Sequence, residues 1–131
     1  MERTDAQLQT PTALAFIGDA VMSLFVRKAL LSRGGGNTLH VAASRYVNAT
    51  AQAFVFDVLT DRGFFTQEES DIARRARNAH LHSRAKAATP SEYHKATALE
   101  AVIGYLELTG DTARRDCLLD MCVEITDSNN F

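Results

Sequence analysis

Apolar positions in this chain recur at helical spacing. Leu14, Ile17, Val21, Leu24 and Leu31 fall on one side of a single helix. That helix is predicted to open at Thr10-Pro11, where a proline in the first turn forfeits no hydrogen bond. It should run to about Arg33 and stop at Gly34-Gly35-Gly36. Phe16, Met22 and Val26 lie elsewhere on its circumference, so the helix is apolar nearly all round. Such a helix is either central or shared with a second subunit. Asn37 or Thr38 starts a short helix through about Val47. Asn48 can cap the next, which reaches Arg62 with Gly63 as its stop. Thr66-Gln67-Glu68-Glu69 is a capping box for a helix to about Asn78. Residues 79–89 are small, polar and basic, and read as a loop. Thr89-Pro90-Ser91-Glu92 is a second capping box, opening a helix to Thr109 with Gly110 behind it. A last helix covers about 112–125. No segment alternates strictly with period two, so the fold class is all-α, with about six to seven helices.

Composition narrows this little. The 131 residues make one domain, 1–131, with a core over about 11–126. With 46% hydrophobic residues the chain can bury a core and is not dominated by disorder. No apolar run is long enough for a membrane span, and no secretory leader is apparent at the start. A cytoplasmic location is the expectation. Cys117 and Cys122 lie on one helix, rotated apart by about 140°, so they cannot bridge each other. They lack the His pair that a zinc site would need.

Charge distribution says more than the net value of −2. Residues 73–95 hold Arg74, Arg75, Arg77, Arg84, Lys86 and Lys95 against one acid, Glu92. That local +5 leaves −7 on the rest of the chain. Three of the four histidines, His80, His82 and His94, sit there too. A basic block on an acidic body suits a polyanion, or it is a solvated loop between helix ends.

Two acids stand where local stability argues against them. Asp19 lies mid-helix beside Gly18, and both are poor interior helix residues. Ala15, Met22 and Val26 give Asp19 apolar company at helical spacing. Glu100 is again mid-helix and apolar-flanked, with Gly104 four residues on. A carboxylate in such surroundings needs a partner, a proton or a metal. If the two converge they suit Mg²⁺ or Mn²⁺, which take oxygen ligands and keep several waters. Alternatively each pairs with an arginine or caps nearby backbone.

At these residues the chain resembles the ribonuclease III family. Ala15-Phe16-Ile17-Gly18-Asp19-Ala20-Val21 is similar to its signature helix, and Leu99 to Leu106 to its second acidic helix. The small bacterial branch called Mini-ribonuclease III resembles the chain over about residues 11–110. Leu39-His40, Ser44-Arg45-Tyr46-Val47 and Ala51-Gln52-Ala53 fit that branch, as does the run from Gly63 to Glu69. Arg75-Ala76-Arg77-Asn78-Ala79 fits its Arg-Gly-Arg-Asn-Ala motif with Ala76 in place of Gly.

The resemblance implies an all-α ribonuclease III endonuclease domain acting as a homodimer on double-stranded RNA. It implies Mg²⁺ dependence, with Mn²⁺ as a substitute, and maturation of the large-subunit (23S) ribosomal RNA precursor. It makes Asp19 and Glu100 the catalytic, metal-binding acids. Arg75, Arg77, Asn78, Arg84 and Lys86 are the expected RNA-binding residues. Arg75 and Arg77 point differently, so one is expected to grip phosphate and the other to pair with an acid inside the protein. A separate double-stranded-RNA-binding domain is not expected. Full-length relatives carry two further acids where this chain has Ala15 and Thr97. More of the metal's shell should then be water or phosphate, and its affinity without RNA weak. His40 is expected in the core or as a cap, and Tyr46 and Tyr93 to pack, or alternatively to reach RNA. Phe16, Met22 and Val26 are candidate dimer contacts, or else core residues. The alternatives are a non-cleaving RNA-binding or ribosome-assembly module of the same fold, and a helical domain whose basic loop meets an acidic protein.

Overall fold

A computed structural model describes residues 1–34, 36–79 and 88–129. Seven α-helices and no strand occur among these residues. They are α1 (Arg3–Gln7), α2 (Pro11–Ser32), α3 (Leu39–Ser44), α4 (Ala49–Asp61), α5 (Gln67–Asn78), α6 (Pro90–Leu108) and α7 (Thr112–Asp127). A single 3-10 turn, Gly36–Thr38, precedes α3. Local chemistry sets the boundaries. Thr10, Asn48 and Asp111 each accept a backbone N–H from the first turn of α2, α4 and α7. Thr66 with Glu69, and Thr89 with Glu92, close the two capping boxes. The short polar helix α1 carries no comparable local signal and was not expected.

The central helix is α6, not α2. Every residue from Ala96 to Leu106 is buried except Glu100, which is half-buried. Helices α2, α4, α5 and α7 pack around it. The α2–α6 crossing is a backbone contact. A Cβ at Gly18 would lie 1.7 Å from the Glu100 carbonyl oxygen, and one at Gly104 would lie 1.9 Å from that of Leu14. Two glycines, one on each helix, thus remove the side chains that would hold the helices apart.

This crossing selects the buried side of α2. Leu14, Gly18, Met22, Val26 and Leu30, four residues apart, turn inward. Leu24 and Leu31, expected on the buried face, are 59% and 66% exposed. Met22 and Val26, candidates for dimer contacts or for the core, are core residues at 1% exposure. Phe16 is 77% exposed and remains on the surface of α2. The longer apolar face lost because the close approach needs Gly18 at its centre.

Polar ties complete the frame. Arg114 of α7 binds Glu69 through two hydrogen bonds, Nε to Oε2 at 2.9 Å and Nη2 to Oε1 at 2.8 Å. Its guanidinium sits 4.1 Å above the Phe64 ring. Glu69 is almost fully buried, so Arg114→Ala would strand a carboxylate in the core. We expect a loss of about 3 kcal/mol in urea unfolding. A change below about 1 kcal/mol would show that the pair is dispensable. Tyr46 is buried as expected and donates to Asp127, which also pairs with Arg33. His40 is exposed rather than a core residue or cap. Cys117 is exposed and Cys122 buried, and burial pushes the Cys122 thiol up to about 12. No helix among the described residues is long and apolar enough to cross a membrane.

Candidate active site

The same crossing that sets the core brings the two acids together. Gly18 lies against the Glu100 backbone, so Asp19, the next residue, is carried to the edge of α6. Asp19 is exposed, contrary to the apolar surroundings expected for it. Only its helical neighbours Ala15, Met22 and Val26 turn into the core. A cleft of about 470 Å³ opens over the pair, with Asn48 capping α4, Gln52 on α4, and Tyr93 and Thr97 on α6 also lining it.

Electrostatics make the pair unusual. Burial, and then the neighbouring Asp19 carboxylate, push the Glu100 carboxyl up to about 8. A hydrogen bond from Gln52 Nε2 to Glu100 Oε2, at 3.4 Å, opposes that shift. Neither acid forms an ion pair among the described residues. The alternative of an arginine partner for each acid is therefore not met among the described residues. Two facing carboxylates without a cation require a proton or a positive ion between them. The donor set is oxygen, which fits Mg²⁺ or Mn²⁺. No group of three metal-binding side chains occurs among the described residues, so water and substrate must complete any such shell. Ala15 and Thr97 leave room for them, and Thr97 spends its hydroxyl on the Tyr93 carbonyl oxygen at 2.9 Å.

The basic block divides into engaged and open residues. Arg74 pairs with Asp71 at 3.1 Å, and Lys95 with Asp57 at 2.9 Å. Arg75 donates to the carbonyl oxygens of Gln7 and Gln9, at 2.8 and 2.9 Å. The expected division between Arg75 and Arg77 thus takes a different form. Arg75 is the inward residue, and its partners are backbone carbonyls rather than an acid. Those carbonyls lie at and just beyond the end of α1, so Arg75 joins Glu68, which binds Arg3 and Gln7, in tying that short helix to α5. Arg77 is exposed, with its guanidinium 5.9 Å from the Phe56 ring. Asn78 is exposed beside it. Both line a second cleft of about 360 Å³ floored by Phe56 and Phe65. Arg84 and Lys86, with His80 and His82, lie outside the described residues.

Gln52 was not recognised as part of the site from sequence. Glutamine is an ordinary helix former, so its presence in α4 violates no local rule. Its position was the available signal. It shares the inward face of α4 with Val55, Phe56 and Leu59, where a polar residue needs a reason.

Comparisons with known proteins identify the family. The Ribonuclease III domain family matches residues 12–111. The Mini-ribonuclease 3 of Symbiobacterium thermophilum is 46% identical over 106 residues, covering 79% of this chain and 80% of that one. The Mini-ribonuclease 3 of Streptococcus pneumoniae is 38% identical over 122 residues, covering 92% and 95%. A crystal structure of a Fusobacterium nucleatum protein is similar with a TM-score of 0.80 and 30% identity, covering 92% of this chain and 96% of that one. With its paired acids on a glycine-mediated helix crossing, this chain belongs to the ribonuclease III family, in the Mini-ribonuclease III branch.

Proposed function

We propose that this chain is a Mg²⁺-dependent endoribonuclease that cuts double-stranded RNA and matures the 23S ribosomal RNA precursor as a homodimer. The endoribonuclease class and the duplex substrate come with the family. The observation that supports a metal is Glu100, half-buried, facing Asp19, with no cationic side chain among the described residues paired with either acid. The branch resemblance supports the ribosomal precursor. Phe16, Leu24 and Leu31, exposed along α2, support a second copy of the chain on that face.

Bound between the acids, Mg²⁺ would supply Lewis acidity and a more acidic water. The chain's own residues do the rest. Asp19 offers its carboxylate from the open side of the cleft, and Glu100 offers its own from the floor. Glu100 must first release the proton that burial and Asp19 favour. Arg77 stands free to meet backbone phosphate, while Arg75 holds the end of α1 against the helix that carries it. Recognition through phosphates and A-form shape makes binding fall steeply with salt.

The test is incubation of a long RNA duplex with the protein in Mg²⁺, beside EDTA and Asp19→Asn controls. Cleavage should occur only with wild-type protein and metal, and Asp19→Asn should lose at least about 100-fold in rate. Duplex binding without cleavage across Mg²⁺ and Mn²⁺ would favour the non-cleaving module. Absence of both binding and cleavage would remove duplex RNA as the substrate.

A further inference from the structure

We propose that Gln52 is a positioning residue that holds the Glu100 carboxylate toward Asp19, so that the two acids share one cation. This rests on the cleft's being a metal site.

Gln52 projects from α4 into the seam with α2 and α6 and is 4% exposed. A buried amide costs free energy unless it is hydrogen-bonded. Its Nε2 reaches two atoms, Glu100 Oε2 at 3.4 Å and Met22 Sδ at 3.3 Å. A thioether sulfur is a weak acceptor, so the fold gains little from the second contact. A methionine at this position would pack beside Met22 without burying an amide at all. Glu100 is the partner that gives an amide a purpose here.

Glu100 in turn needs the amide. Its Cα is fixed by the backbone contact with Gly18, but its side-chain torsions are not. Among the described residues Gln52 is its side-chain donor from another helix. The donor's neutrality matters. A lysine or arginine would satisfy the carboxylate and also neutralise it, taking the place a cation would fill. An amide orients the oxygen and leaves the negative charge for the metal. Groups that orient metal ligands in this way are typically worth about 10- to 100-fold in metal affinity or activity.

The experiment compares wild type with Gln52→Met, which keeps volume and removes the donor, and Gln52→Asn, which keeps the amide but withdraws it from reach. Three quantities are read: melting in EDTA, the melting shift produced by Mn²⁺ alone, and the Mg²⁺ needed for half-maximal duplex cleavage. Gln52→Met should melt in EDTA no lower than wild type. Both variants should show a smaller Mn²⁺ shift and need about 10-fold more Mg²⁺. A structural role would instead lower the EDTA melting temperature of Gln52→Asn and leave the metal requirement of both variants unchanged. That result overturns the proposal. If wild type shows neither a Mn²⁺ shift nor cleavage, the metal reading of the cleft itself fails, and this one with it. If wild type shows both and Gln52→Met matches it, the positioning role alone is wrong.

Discussion

Glu100→Gln should abolish duplex cleavage and yet stabilise the metal-free protein at alkaline pH. The Glu100 carboxyl titrates near 8 in the folded chain, against 4.5 as its ordinary value. Below about pH 4.5 it is protonated in both folded and unfolded chains and costs nothing. Between those values the folded state holds a proton that the unfolded state has lost, so stability falls as pH rises. The penalty is complete above about pH 8 and is on the order of 5 kcal/mol. Glutamine is nearly isosteric and carries no charge, so the variant escapes it. The difference in stability between variant and wild type should be small at pH 4.5 and grow to its full size above pH 8. Other titrating groups are common to both proteins and cancel in that difference. Urea unfolding in EDTA at several pH values measures it directly. Mg²⁺ should recover stability for wild type at pH 8 and not for the variant, which has lost one of the two acids. A stability difference that did not vary with pH would mean that Glu100 is not held against its charge.

Gly18→Ala should be among the most damaging single-methyl additions in the chain. The new Cβ would fall 1.7 Å from a backbone oxygen of α6, with no flexible side chain to yield. The helices must separate by more than 1 Å, which opens the core along the whole seam. Alanine's better helix propensity offsets only about 1 kcal/mol. We expect a net loss of about 3 kcal/mol or more in unfolding free energy. Gly104→Ala, at 1.9 Å from the Leu14 carbonyl oxygen, should behave alike. Gly110→Ala is the informative control: nothing lies within 4 Å of its Cβ, and its cost comes only from a positive φ of 75°. A cost of about 1 kcal/mol is expected there. Equal losses at Gly18 and Gly110 would show that the crossing tolerates a methyl. Surviving Gly18→Ala protein should also bind Mn²⁺ more weakly, because the same separation moves Asp19 away from Glu100.

These two variants mark where local sequence information ends. Helix boundaries were legible because their causes are local. The caps at Thr10, Asn48, Thr66 and Thr89 bond groups within one turn, so they act before any tertiary structure exists. Asp19, Gly18, Glu100 and Gly104 were legible for the opposite reason. Each opposes the apolar helix around it, and such a conflict needs an explanation beyond the helix.

Other features depend on partners far along the chain. Helix α1 is short and polar, and is tied in through Arg75, more than 60 positions away. The inward turn of Arg75 and the outward turn of Arg77 follow from that tie, since the two residues look equivalent in sequence. Gln52 belongs to the site only because α4 lies beside Glu100. The buried face of α2 was misjudged because a helix apolar on all sides has no periodic signal to read. Sequence alone determined helices α2 to α7, the caps of α2, α4, α5 and α6, the two acids in unfavourable places and the family. Only the tertiary structure decided that α6 is central, which face of α2 is buried, which arginine stays open and which amide meets Glu100. Each of those follows from a helix crossing at backbone distance, and a crossing is a property of two segments that neither encodes by itself.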